Sequence, residues 1–80
     1  MDPQEIKALI EAGLQDATVA VDGDGRHFQA LIVSPEFEGK TPIQRHRMVY
    51  ALLEEHIQAD VLHALSMRTL TPAQWADENK

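Results

Sequence analysis

Residues 18–34 read TVAVDGDGRHFQALIVS, two runs of strand-favouring residues on either side of a glycine-rich turn. The runs, residues 18–22 and 27–34, are rich in Val, Ile and Leu and largely alternate in polarity, which is typical of half-buried strands. Gly23 and Gly25 lie in the intervening segment 23–26, where glycine permits the positive φ that a tight turn requires. The segment therefore predicts a β-hairpin.

One helix-start pattern occurs three times outside the hairpin. Residues 2–5 (DPQE), 41–44 (TPIQ) and 71–74 (TPAQ) each combine an N-cap residue, a proline at the first helical position and Glu or Gln at N3, the arrangement of a capping box. We expect helices over residues 3–12, 42–56 and 72–78. In the middle helix, the apolar spacing predicts that Ile43 and Val49 face inward and that Arg45 and Arg47 face outward.

Residues 61–69 alternate in polarity and predict a third strand. A strand, a long helix and another strand form a crossover that is right-handed in nearly all proteins, so the third strand should run parallel to the second. The order α-β-β-α-β-α then gives an α+β two-layer sandwich, in which helices cover one face of a three-stranded mixed sheet and the other face stays partly open. Phe37, in the loop before the middle helix, and Trp75, in the last helix, should pack inward.

Size and composition indicate one small domain, residues 1–80, without a disulfide framework. The chain has 80 residues, a net charge of −6 and no cysteine. A charge of this sign opposes non-specific attraction to nucleic acid or to anionic membranes. Without a long apolar run or a basic-then-apolar amino terminus, we expect a cytoplasmic protein that does not enter membranes. We also expect a monomer, with weak homodimerisation left open.

His63 is the most informative candidate site residue. Period-two alternation places it on the predicted strand face shared by Val61, Leu65 and Met67. Since the chain lacks cysteine, its four histidines are the natural metal donors. The residues alone favour a simpler reading, in which a histidine at the edge of the core donates to a backbone carbonyl.

Several ordered motifs resemble the BolA family. They are FEGK (residues 37–40), QRHRMVY (44–50), HAL (63–65) and TPAQW (71–75), while GDGRHF (23–28) is similar to the IbaG-type branch. This resemblance extends over most of the chain. It implies a fold similar to a class II KH domain, which agrees with the element order predicted above.

The resemblance implies a non-enzymatic partner of monothiol glutaredoxins that shares a [2Fe-2S] cluster in iron handling. His63 matches the family's strand histidine ligand, and a second ligand comes from the hairpin loop, where His27 is the nearby imidazole and Asp22 or Asp24 are alternatives. The remaining ligands would be a glutaredoxin cysteine and glutathione. The isolated chain should therefore hold no cluster, because iron in such clusters favours thiolates that this chain lacks.

Two other functions need to be considered. The family also includes DNA-binding regulators of stress response and morphology, and here Lys40, Arg45, His46 and Arg47 would form the nucleic-acid or partner-binding patch. The turn before the helix offers only Gly39 where a KH domain has Gly-x-x-Gly, which weakens this alternative. For catalysis, His63 could pair with Asp60 or Glu36, but no nucleophile motif accompanies it. We therefore assign no catalytic residue.

Overall fold

The computed structural model describes residues 2–79. Within this range, four α-helices and three β-strands form an α+β arrangement. The elements are α1 (Pro3–Gly13), β1 (Thr18–Gly23), β2 (Phe28–Val33), a 3-10 turn (Pro35–Phe37), α2 (Pro42–Leu53), α3 (Ala59–His63), β3 (Leu65–Leu70) and α4 (Pro72–Glu78).

The predicted helix starts are all present, and two of them have the complete capping box. At α2, the Thr41 side chain accepts from the Gln44 amide at 3.2 Å, and the Gln44 side chain accepts from the Thr41 amide at 2.9 Å. Thr71 and Gln74 form the same pair of bonds at α4. At α1, within residues 2–79, only the Asp2 half forms, with the carboxylate accepting from the Gln4 amide at 2.9 Å. These bonds satisfy amides that a helix leaves without an internal partner.

The three strands form one sheet in the order β1-β2-β3. β1 pairs antiparallel with β2, as the hairpin requires, and β2 pairs parallel with β3, as the crossover predicts. Phe28 is the register partner of Leu65, and Val33 is the partner of Leu70. The first residues of β2 and β3 therefore lie at one edge of the sheet, and their last residues lie at the other.

The hydrophobic core lies between one sheet face and the helices. α1 contributes Ile6 and Ile10, α2 contributes Val49 and Leu53, and Phe37 is fully buried as predicted. Every second strand residue, such as those at positions 28, 30 and 32, faces this core. The other sheet face exposes much of its surface and forms a shallow groove of about 520 Å³. Trp75 is only half-buried and lies outside the core cluster, contrary to expectation.

The prediction for the third strand was wrong at its start. β3 begins at Leu65 rather than Val61, and Ala59–His63 forms the short helix α3. Val61 and Leu62 are both partly buried against the core. A helical turn can direct two successive side chains toward one side, whereas successive strand residues face opposite sides. The alternation in the sequence was therefore coincidental at residues 61–63.

The orientation predicted for the start of α2 was also wrong. Ile43 is 65% exposed, whereas Arg45 is only 8% exposed. Arg45, Val49 and Leu53 form one buried stripe at four-residue spacing. Ile43 is two residues from Arg45, which is about 200° around a helix of 3.6 residues per turn, so burying one exposes the other. The helix also ends at Leu53 rather than His56.

None of the helices found in residues 2–79 combines the length and the apolar character needed to span a bilayer.

Candidate functional site

His63 is exposed at the end of α3, not on the apolar face of a strand. It is the last residue of that helix, and Ala64 caps the helix before β3 begins. In the part of the chain that the structure describes, the His63 ring makes no hydrogen bond. The core-edge reading, with the ring bonded to a backbone carbonyl, is therefore wrong. The imidazole is available to an external ligand or partner.

His27 is exposed at the end of the hairpin loop, and its backbone is held by Asp24. One carboxylate oxygen of Asp24 accepts from the Arg26 and His27 amides, each at 2.8 Å. The Asp24 amide donates in turn to the His27 carbonyl at 3.2 Å. The bonds from the His27 and Arg26 amides lower the pKa of Asp24, because they stabilise the ionised carboxylate. The loop that carries His27 is therefore ordered by the side chain of Asp24, which is itself a residue of the loop.

The parallel pairing of β2 and β3 brings the two histidines to the same edge of the sheet. The Phe28 amide donates to the Ala64 carbonyl at 3.0 Å. Ala64 immediately precedes Leu65, the residue of β3 that pairs with Phe28. His27 precedes Phe28, and His63 precedes Ala64. Neighbouring strands are spaced about 4.8 Å apart, so these backbone positions are close in space. The structure thus brings close together the backbones of two exposed histidines that are 36 positions apart in the sequence.

A polar groove of about 350 Å³ adjoins this edge. It is lined by Asp22, Gly23, Asp24, His27 and Gln29. Both aspartates considered as alternative ligands thus line the same groove as His27. One oxygen of Asp24 already accepts from two backbone amides, whereas within residues 2–79 Asp22 accepts only from the adjacent Gly23 amide, at 2.8 Å. Asp22 therefore accepts fewer hydrogen bonds than Asp24 and has more acceptor capacity left for a metal ligand role.

The donor set of this edge is incomplete for a metal centre. Among residues 2–79, no group of three or more His, Cys, Asp or Glu side chains is arranged to hold a metal ion. A [2Fe-2S] cluster takes four ligands, normally thiolates, although two histidines replace two cysteines on one iron in Rieske centres. Two exposed imidazoles at one edge fit half of such a set. The other half requires thiolates from another molecule.

The basic patch predicted around α2 does not form as predicted, because Arg45 is used inside the protein. Its guanidinium donates to the carbonyls of Lys40 and Thr69 and to the Gln74 side chain, each at 3.0 Å. It also lies 5.8 Å from the centre of the Phe37 ring, within range of a cation-π contact. Arg45 thereby connects the loop before α2, the end of β3 and α4. Its four-residue spacing to Val49 and Leu53 was the signal available in the sequence.

The other residues of that patch remain at the surface. Lys40 and Arg47 are exposed, and His46 is half-buried. They lie near the start of α2, which approaches the end of β3 through the bond from Arg45 to Thr69. The histidine edge is at the start of β3. The two groups of predicted site residues are therefore at opposite ends of the sheet.

The fold and this edge define a small α+β protein of class II KH-like architecture with a pair of exposed imidazoles. The chain belongs to the BolA family: the family model described as BolA-like protein matches residues 2–74. The acid stress protein IbaG of Escherichia coli strain K12 is 36% identical over 80 residues, which cover 100% of this chain and 95% of that protein. The resemblance inferred from the sequence motifs is confirmed.

Solved structures agree with this assignment. A bolA protein homologue from Coxiella burnetii has 44% identity and a TM-score of 0.82, with 95% of this chain and 97% of that chain covered. The BolA domain of SufE1 from Arabidopsis thaliana has 32% identity and a TM-score of 0.75, with 89% and 92% covered. The predicted fold class is therefore confirmed, apart from the added helix α3.

Proposed function

We propose that this chain is a non-enzymatic adaptor that binds a monothiol glutaredoxin and shares a [2Fe-2S] cluster with it, in cluster trafficking and iron homeostasis. The observation that carries the proposal is the position of His27 and His63, two exposed imidazoles at one sheet edge that the Phe28–Ala64 hydrogen bond holds together. His63 is the first ligand and His27 the second. Membership of the BolA family supports this choice of partner.

The ligand chemistry explains why a second protein is needed. Iron in these clusters is held mainly by thiolates, and this chain has no cysteine. A glutaredoxin cysteine and glutathione would supply the missing sulfur ligands. Replacing two thiolates by neutral imidazoles raises the reduction potential of such clusters. Binding of the adaptor would therefore change the protein surface around the cluster and raise the reduction potential of the cluster.

The absence of a catalytic arrangement around His63 supports an adaptor rather than an enzyme. Within the described residues, its ring has no hydrogen bond to Asp60 or Glu36, the carboxylates considered as partners. Glu36 instead accepts from the Gln15 amide at 2.6 Å. A general base requires a partner that orients it and a substrate group within reach, and neither carboxylate orients His63 here.

The experiment is a titration of a monothiol glutaredoxin, loaded with iron, sulfide and glutathione, with this protein. Visible absorption and circular dichroism of the cluster should change on addition of the wild-type chain. His63→Ala should abolish the change, and His27→Ala should weaken it. His46→Ala is the matched control, because His46 lies on α2, away from the histidine edge, and should leave the change intact.

Two outcomes would contradict parts of the proposal. If His63→Ala leaves the spectral change unaltered, His63 is not a ligand. If His27→Ala has no effect while Asp22→Asn removes the change, the second ligand is a carboxylate from the groove beside His27. Asp24→Asn tests the other carboxylate, and its amide oxygen can still accept the bonds that order the loop.

The alternative of a DNA-binding regulator has less support. Arg45, one of its three main cations, has its guanidinium occupied by internal acceptors. Lys40 and Arg47 alone would have to offset a net charge of −6, and phosphate binding depends on the number of cations in contact. Absence of binding to duplex DNA at low salt would exclude it.

A further inference from the structure

The outward face of α2 carries an apolar and basic strip that the histidine edge does not use. Ile43, Arg47 and Tyr50 are spaced by four and three residues, so they lie on one side of the helix. We call these three residues, together with Lys40 just before the helix, the α2 outer strip. Ile43 is 65% exposed and is the one large hydrophobic residue so exposed in residues 2–79. Tyr50 is half-buried.

The two cations of the strip have no ionic partner within the described residues. The ion pair found there joins Arg68 to Glu78, elsewhere on the surface. Arg45, between Lys40 and Arg47 in the sequence, points inward to its own acceptors. Arg47 thus places a positive charge beside the aliphatic Ile43, with Lys40 just before the helix, on a chain whose net charge is −6. This combination is complementary to carboxylates that flank an apolar side chain.

Side chains, not the helix end, make this surface. The Gln44 amide donates to the Thr41 hydroxyl at 3.2 Å, and the Arg45 amide donates to the Thr41 carbonyl at 2.9 Å. Pro42 has no amide hydrogen. The start of α2 therefore offers few free amides to a phosphate or another anion, and recognition has to come from Ile43, Arg47, Tyr50 and Lys40.

The start of the strip lies away from the histidine edge. β3 has six residues, which span about 17 Å at roughly 3.3 Å per residue. The histidines lie at its start, and the start of α2 is tied to its end through Arg45 and Thr69. A molecule bound at one end leaves the other end accessible.

We infer that the α2 outer strip is a docking site for an acidic amphipathic segment of a second protein, distinct from the partner at the histidine edge. An aliphatic side chain of that segment packs on Ile43 and Tyr50, and its carboxylates pair with Arg47 and Lys40. A protein segment fits better than nucleic acid, because phosphates gain nothing from an exposed isoleucine and two cations are few for backbone binding. The inference does not depend on the cluster proposal.

The test is an amide NMR titration of the full chain with a synthetic peptide that has two leucines one helical turn apart, flanked by glutamates. Shift changes are expected at residues 40–50 and not at residues 24–27 or 63. Ile43→Ser and Arg47→Glu should each weaken binding by about tenfold, since each removes one central contact. Arg26→Glu, an equal charge change on the exposed hairpin loop, should change affinity less than twofold.

Each alternative result has a defined meaning. No shift at residues 40–50 up to millimolar peptide overturns the inference. Equal weakening by Arg26→Glu and Arg47→Glu, or equal binding of a peptide with lysine in place of glutamate, also overturns it, because attraction would then be non-specific. If duplex DNA shifts the same residues and Ile43→Ser does not weaken that binding, the surface is for nucleic acid. Ile43→Ser should fold normally, since Ile43 is exposed.

Discussion

The amide of Phe28 donates to the carbonyl of Ala64 at 3.0 Å and joins the ends of two segments that each carry a histidine. The Phe28 side chain is 1% exposed, so this bond lies at the boundary between the core and the histidine edge. On its outer side, the Arg26 and His27 amides donate to the exposed carboxylate of Asp24. The core and this bond therefore fix Phe28 and Ala64, the residues that follow the two histidines, whereas a local turn orders the loop that carries His27.

This boundary predicts two levels of amide protection. The Phe28 amide should exchange with solvent only through large unfolding events, whereas the Arg26 and His27 amides should exchange through local opening of the loop. Asp24→Ala removes their acceptor and should accelerate exchange at residues 26 and 27, with no change at residue 28. Hydrogen exchange measured by NMR checks this. Asp24→Asn, which keeps an acceptor oxygen, is the matched control and should behave nearly as wild type.

If Asp24→Ala also accelerated exchange at Phe28, the loop would be part of the cooperative core, contrary to the separation described here.

The same carboxylate predicts a pH dependence of loop order. The pKa of Asp24 is lowered from 3.8 in the folded protein by the His27 and Arg26 amides. A lowered folded-state pKa means that this contribution is fully present above the unfolded-state pKa and is lost as the pH falls through the lower, folded-state value. Below about pH 4, the amide shifts of Arg26 and His27 should therefore follow the Asp24 carboxyl titration.

Asp22→Asn is the control for the pH experiment, because Asp22 does not bond to either of those amides. A change of the Arg26 and His27 shifts below about pH 4 that persists in Asp24→Asn would show that another group orders the loop.

The internal hydrogen bonds of Arg45 predict that substitutions at Arg45 lower the stability of the protein far more than substitutions at Arg47, the other arginine of α2. Arg45→Met removes the donors to Lys40, Thr69 and Gln74 and deprives the buried Thr69 carbonyl of this partner, which should lower the free energy of unfolding by about 3 kcal/mol. Arg45→Lys should also destabilise, because one ammonium cannot reproduce the fork of donors. Arg47→Met should stay within about 0.5 kcal/mol of wild type. Urea unfolding followed by circular dichroism measures all three.

A stability loss from Arg45→Met as small as that from Arg47→Met would mean that the buried guanidinium is not a structural link.

The elements that could be predicted from the sequence are those fixed by local chemistry. Thr41-Pro42 and Thr71-Pro72 start helices because the cap side chain and the proline act on their own neighbours. The glycines of the hairpin loop indicate a turn for the same reason. Gly25 indeed has a φ of 93°, a backbone conformation that residues with a Cβ rarely adopt. The parallel pairing of the third strand also follows, because crossover handedness restricts the topology.

The failures come from tertiary contacts that have no local signal. Arg45 is buried because Thr69 and Gln74, more than twenty residues away, offer acceptors to it. His63 was placed in the wrong surroundings, since the alternation at residues 61–63 does not show where strand pairing begins. Its proximity to His27 depends on the register of Phe28 with Leu65, which neither segment encodes by itself.

The contact between α1 and α2 predicts that Gly13→Ala lowers stability when Leu52 is present and raises it when Leu52 is replaced by alanine. A Cβ added at Gly13 would lie far inside van der Waals contact with a methyl carbon of Leu52, so Gly13→Ala forces the Leu52 side chain to move. In the wild-type background, this overpacking should destabilise the protein by about 1 kcal/mol. In a Leu52→Ala background the space is free, and Gly13→Ala should instead stabilise by up to about 1 kcal/mol, because alanine favours the helix over glycine. Urea unfolding of the wild type, the two single mutants and the double mutant should give a coupling energy of roughly 1–2 kcal/mol if the two residues set how closely the helices approach. Additive effects of the two mutations would show that the Leu52 side chain rotates away without cost.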